Sequence, residues 1–208
     1  MGKEKITLFL DVDDTVLHSS EAIVQIMNEK YGTNKTVEDV TDWGFRSIYS
    51  GANFDNVNEI FASERFWDIV RIDPDFERFY HDHKRHFNFV FVSKGVPLNL
   101  KRKEAFLKKH FSKATFLPCA LSKEANCYDK SHINMTNGIQ IDDRFDALET
   151  TNANCKILYK RGIDRQWNEQ TAVLDNLYIV NTWKEIIKIL EFALVEKELM
   201  RVDTYERY

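Results

Sequence analysis

Apolar positions along this chain fall into two alternating patterns. Short continuous runs, rich in β-branched and aromatic residues, lie at 6–10, 87–92, 114–117, 138–141, 155–159 and 177–180. Runs of that kind are what strands buried on both faces look like. Between them, apolar residues return every three or four positions, the repeat of a helix with one buried face. Phe76, Phe79, Tyr80 and His83 follow it, as do Leu100, Phe106, Leu107 and His110 less regularly. The strongest case is 183–199, with Ile186, Ile187, Leu190 and Leu194 on one side. Strands alternating with helices predict an α/β fold, a parallel sheet with helices on both faces.

One stretch breaks the alternation. More than seventy residues separate the first two strand-like runs, far more than one crossover helix needs. A helical repeat at 19–31, with Ile23, Ile26 and Met27 on one face, and a second at 54–66 lie inside it. The expected organisation is a core of 1–18 and 73–208 carrying a helical cap, 19–72, inserted after the first strand. The cap is rich in rings: Trp43, Phe45, Tyr49, Phe54, Phe61, Phe66 and Trp67. Such rings either form the cap's own core or offer a face on which a base can stack. The polar tail at 203–208 is expected to fray.

Composition narrows the class. A hydrophobic share of 43% in 208 residues supports a sizeable core, and 3 Pro with 7 Gly argue against a turn-rich β sandwich. The formal net charge of −4 is not that of a protein in stable complex with nucleic acid. Cys119, Cys127 and Cys155 form no CxxC pair, so reduced thiols are expected rather than a disulfide framework or a zinc site. No leader-like or membrane-spanning run is present, and a cytoplasmic location is expected.

The candidate chemistry sits at strand ends. Asp11-Val-Asp13-Asp14-Thr15 follows the first strand, where ligands bind in a parallel α/β sheet. Two like-charged carboxylates about 4 Å apart repel by about 4 kcal/mol at an effective dielectric near 20. A divalent cation relieves that, and hard oxygen ligands suit Mg²⁺. Alternatively, Asp14 or Thr15 caps the helix that follows. The second strand leads into Ser93-Lys94-Gly95, where a hydroxyl and an accessible backbone N–H can meet a phosphate oxygen or simply form a turn. The fourth leads into Asp142-Asp143-Arg144, a metal site or a helix cap. The histidines at 81, 83 and 86 share a charged stretch and read as a solvated face. Arg161, Arg165 and Trp167 follow the fifth strand, either touching substrate or forming a solvated loop with one packed ring.

The order Asp-x-Asp-x-Thr, a hydroxyl residue after the second strand, a lysine, then Asp-Asp resembles the haloacid-dehalogenase superfamily of phosphatases over nearly the whole chain. Ile141-Asp142-Asp143-Arg144, the cap's end at Phe66-Trp67, and Ile72-Asp-Pro-Asp-Phe76 resemble its 5'(3')-deoxyribonucleotidases. The resemblance implies a Rossmann-like haloacid-dehalogenase fold and Mg²⁺-dependent hydrolysis of a phosphomonoester, a nucleotide, through an aspartyl-phosphate. It implies Asp11 as nucleophile and Asp13 as general acid. Ser93, Lys94 and Gly95 would bind phosphate together with Lys130, for which Lys123 is the alternative. Asp11, Asp142 and the main-chain carbonyl of Asp13 would hold the metal, with Asp143 orienting its shell. Trp43, Phe45 and Trp67 are the candidates for stacking on substrate. The chain departs from those nucleotidases in having Asp14 for Gly, Thr15 for Val, Ser19 for an aromatic and Lys94 for a hydroxyl residue. Remaining alternatives are a phosphatase of another small metabolite or of a nucleic-acid end, and a catalytically silent binding module.

Overall fold

The computed structural model describes residues 5–120 and 130–205. Lys123 and Cys127 lie outside the described residues. The chain forms six parallel strands: β1 (Ile6–Leu10), β2 (Phe87–Gly95), β3 (Thr115–Ala120), β4 (Gly138–Asp142), β5 (Cys155–Tyr159) and β6 (Leu177–Val180). Their order across the sheet is β3-β2-β1-β4-β5-β6. The helices are α1 (Ser19–Tyr31), α2 (Phe54–Ala62), α3 (Glu64–Ile69), α4 (Pro74–His83), α5 (Pro97–His110), α6 (Phe145–Glu149) and α7 (Trp183–Tyr205). The tail expected to fray is therefore helical as far as Tyr205.

This order has one consequence for function. Strand order reverses at β1, which lies between β2 and β4. Such a switch point opens a crevice beyond the carboxyl ends of the strands, because the connections on either side leave in opposite directions. Leu10 of β1 is level with Phe91 of β2 and Ile141 of β4. The residues that follow all three strands therefore reach one edge together. Close approach of β4 to β1 needs Gly138, where a Cβ would lie 2.5 Å from the Phe9 ring.

Two boundaries differ from the sequence pattern. The second run was expected to end at 92, but Ser93, Lys94 and Gly95 pair with Pro118, Cys119 and Ala120, so they are strand residues and not a turn. The helix expected over 54–66 is two helices. Ser63 adopts extended backbone (φ −80°, ψ 150°), ends α2, and caps α3 by accepting from the Phe66 N–H. The Ser63 hydroxyl also donates to the Ile60 carbonyl at 2.7 Å, so one side chain serves both helix ends.

The segment from α1 to α3 leaves and rejoins the sheet domain at one place. Leu17 and Ile72 form an antiparallel bridge, flanked by His18 N–H to Arg71 C=O at 2.8 Å and Asp73 N–H to Val16 C=O at 2.9 Å. α4 then starts under Asp73, whose carboxylate accepts from the Asp75 and Phe76 amides, with Pro74 in the first turn. Ile23, Met27, Phe45, Tyr49, Phe61 and Phe66 of the inserted segment belong to one apolar cluster with Leu8 and Leu10 of β1. The insertion is thus seated on the sheet edge by the same burial that forms the core. Trp183 of α7 anchors the loop after β1 from behind, its indole N–H donating to the Thr15 carbonyl at 2.8 Å.

Candidate active site

The loop after β1 is wound tightly. The Val16 and Leu17 amides both donate to the Val12 carbonyl, and the Asp11 amide donates to Ile141 C=O of β4 at 2.9 Å. Asp14 takes a positive φ of 55°, which Asp tolerates better than most residues. This winding sends alternate acids to different tasks. Asp11 and Asp13 line a small cavity of about 30 Å³ with Trp43, Lys94, Lys130, Asp143 and Arg144. Asp14 points away, accepting from the Ser20 amide at 2.8 Å and from the Ser20 hydroxyl. It therefore holds the first turn of α1. The same five residues thus place two carboxylates at the cavity and a third against the first turn of α1.

Lys130 is buried and bridges two strands' acids. Its ammonium donates to Asp11 Oδ1 at 2.6 Å and to Asp142 Oδ2 at 2.7 Å. Burial works against its charge, but Asp11 and Asp142 outweigh that and hold its pKa above the ordinary lysine value. Asp142 also accepts from Gln140 Nε2 at 3.1 Å and from the Arg144 amide at 3.1 Å. Asp143 accepts from the Trp167 indole at 2.6 Å. α6 begins at Phe145 with Arg144 at its N-cap and no side-chain cap bond there, so neither acid takes the N-cap position.

Ligand oxygens of Asp11, Asp142 and Asp143 all lie within 4.8 Å of one another. Burial raises the pKa of Asp143 well above the usual carboxylate range, and its neighbours Asp11, Asp14 and Asp142 push it further. Burial likewise raises Asp11, against the pull of Lys130. Among the described residues, Lys103 pairs with Asp13 and Lys130 with Asp11 and Asp142, while Arg144 offsets part of the rise at Asp143. An all-oxygen donor set fits a hard divalent cation such as Mg²⁺.

Sequence reasoning missed Lys103. It lies on α5, is fully buried, and donates to Asp13 Oδ2 and to Ser93 Oγ, the latter at 2.7 Å. A signal was available: Lys103 falls between Leu100 and Leu107 on the buried stripe of its helix, where a lysine needs a partner. Also missed was the role of Ser19, whose hydroxyl donates to Asp13 Oδ1 at 2.7 Å. Burial raises the Asp13 pKa, Lys103 opposing it. Behind the site, Asp14 meets Arg165 at 2.8 Å and Arg161 at 3.4 Å, and Arg161 grips Glu21 of α1.

The three rings proposed for substrate part company. Trp43 lines the cavity and meets Trp167 edge-on, centroids 5.5 Å apart. Phe45 is fully buried at a positive φ of 57° within the apolar cluster. Trp67 packs on Phe66 and Phe106 and donates its N–H to Phe61 C=O at 2.9 Å. Apolar packing has claimed both, and neither lines the cavity. Of the phosphate candidates, Ser93 is buried against Lys103 and Lys94 lines the cavity. Gly95 is packed by Asn99, whose Nδ2 lies 3.1 Å from where a Cβ would stand. The histidines at 81, 83 and 86 join no metal-ligating group among the described residues.

No protein-family model matches this sequence, and no curated protein does. The fold has many counterparts among solved structures. A haloacid-dehalogenase-like hydrolase from Streptococcus pneumoniae superposes with a TM-score of 0.60 at 13% identity, covering 89% of this chain and 98% of that one. A HAD-family hydrolase from Deinococcus radiodurans, with bound phosphate and sodium, gives 0.53 at 14% identity, covering 93% and 98%. The HAD-hydrolase YfnB of Bacillus subtilis, bound to magnesium, gives 0.54 at 12% identity, covering 90% and 99%. The fold of this chain is therefore that of the haloacid-dehalogenase-like hydrolases.

Proposed function

We propose that this protein is a Mg²⁺-dependent phosphomonoester hydrolase working through an aspartyl-phosphate on Asp11. The observation that carries this is the convergence of Asp11, Asp13 and Lys130 on one cavity beside the Asp142–Asp143 pair. A carboxylate oxygen of Asp11 attacks phosphorus, and the ester oxygen leaves with a proton supplied by Asp13. Asp13 then takes a proton from water as its oxygen attacks the acyl-phosphate, releasing inorganic phosphate and restoring Asp11. Lys130 balances charge on Asp11 and on the phosphoryl oxygens. Asp11, Asp142, Asp143 and the Asp13 carbonyl would hold Mg²⁺, which when bound screens the phosphoryl charge from the nucleophile.

For the leaving group, the motif resemblance favours a nucleoside monophosphate. Trp43 at the cavity supplies one ring, worth on the order of 1–3 kcal/mol if a base stacks there. A different small phosphorylated metabolite is favoured by a separate observation. Ser19 is spent on Asp13, and Phe45 and Trp67 are spent on packing, so among the described residues no second ring joins Trp43 in lining the cavity. Phosphate release from a panel of nucleoside monophosphates and sugar phosphates, with Mg²⁺ and with chelator, separates these. Activity with Mg²⁺, abolished by chelator and by Asp11→Asn, is expected. Full activity in excess chelator, or in Asp11→Asn, overturns the proposal.

A further inference from the structure

We infer that Lys103 is a positioning residue of this site, aiming the Ser93 hydroxyl at the phosphoryl group and the Asp13 carboxylate at the leaving oxygen. The inference rests on the roles proposed above for Asp11 and Asp13.

An ammonium has three donors and no acceptor. Lys103 therefore donates to Ser93 Oγ at 2.7 Å, and the Ser93 hydroxyl proton must point elsewhere. The Ser93 hydroxyl has no acceptor among the described residues, although Ser93 is buried at 1% exposure. A buried hydroxyl with its lone pair engaged and its proton free is a donor waiting for an acceptor. At the carboxyl edge beside Asp11, a phosphoryl oxygen is the acceptor the site would bring.

The second bond fixes Asp13. Lys103 takes Oδ2, and the Ser19 hydroxyl takes Oδ1 at 2.7 Å. Donors on both oxygens hold the carboxylate in one plane, one from α5 and the other from α1. The third direction of the ammonium faces the ring of Phe61, 5.4 Å from its centroid, within range of a cation–π contact. Phe61 belongs to α2 of the inserted segment. Lys103 thus ties together a sheet residue, a catalytic carboxylate and the insertion that covers them. A buried lysine serving only as packing would need one counter-charge, and this one makes three directed contacts.

The two duties separate experimentally. Aid to the leaving oxygen matters for a poor leaving group and little for a good one, whereas binding of the phosphoryl group is common to both. Lys103→Met is expected to lower kcat/KM on an alkyl phosphate such as glycerol phosphate by on the order of 100-fold. On p-nitrophenyl phosphate the expected loss is about tenfold, most of it from Ser93. Lys103→Arg, which keeps charge and donors, should recover part of the ratio between the two substrates. An equal loss on both substrates overturns the inference while leaving the hydrolase proposal standing. Wild-type protein inert to both in Mg²⁺ overturns both. Should Lys103→Met fail to fold, Phe61→Leu decides: it keeps the lysine and removes the ring. That variant is expected to shift the same substrate ratio several-fold, and an unchanged ratio overturns the inference.

Discussion

Asp14 is the buried acid whose duty is structural, and its surroundings say what its loss would do. Burial alone would raise its pKa, but Arg165 and Arg161 outweigh burial and hold it below the ordinary carboxylate value of 3.8. A lowered folded pKa means stability that is present above the unfolded value and lost as pH falls through the folded one. Asp14→Asn leaves Arg165 buried without its counter-ion, at an expected cost on the order of 3 kcal/mol. Urea unfolding at neutral pH should show that cost, and the difference from wild type should vanish in strong acid. A difference that persists unchanged at the lowest pH would mean the charge is not what Asp14 contributes. Residues such as Asp11, Ser93 and Asp142 were legible because parallel strands deliver polar groups to one edge. Lys103 was not, because it reaches the site from the middle of α5, and only its place on an apolar stripe betrays it. Trp43, Phe45 and Trp67 could not be ranked from sequence, since hydrophobicity gives burial but not direction.

At the level of elements, all six apolar runs became strands near their expected positions. β4 is buried throughout and so shows no polar alternation, whereas β6 at the sheet edge exposes Tyr178 and Ile179 and is legible by its β-forming residues. Where the pattern failed, backbone hydrogen bonding decided. Ser93 to Gly95 are polar or small, yet pairing with β3 keeps them in the sheet. The break between α2 and α3 carries no Gly or Pro. It depends on Ser63, whose side chain serves both helix ends. Ser63→Ala removes the α3 cap and should cost about 1 kcal/mol, or roughly 2–4 °C in Tm for a chain of this size. A Tm within half a degree of wild type would show that packing of Phe66 alone sets the break.

For the whole molecule, the metal proposed at the sheet edge would make stability depend on a cation. Asp143 has a folded pKa above its unfolded value, so without metal the fold loses stability as pH rises through that range. Mg²⁺ at a hundredfold excess over its Kd should return about 2.7 kcal/mol, and the rise in Tm should be larger at pH 7.5 than at pH 5. An equal rise at both values would place the ion elsewhere. The insertion adds a mechanical requirement. A cavity of about 30 Å³ has room for only one or two waters, so a phosphomonoester is expected to reach Asp11 by movement of the segment that carries Trp43. Its ends meet at the Leu17–Ile72 bridge, a natural pivot. On the far side, the Gln166 amide donates to the Thr41 carbonyl at 3.1 Å, next to the Trp43–Trp167 contact. Residues joined by a backbone hydrogen bond between adjacent chains lie near the Cα separation that a disulfide spans. Thr41→Cys with Gln166→Cys, oxidised, should pin the insertion shut. Turnover is expected to fall at least tenfold on oxidation and to return with reductant, while Mg²⁺ still raises Tm. Equal turnover in the oxidised and reduced forms would show that substrate reaches Asp11 without the insertion swinging away from the Trp43–Trp167 side.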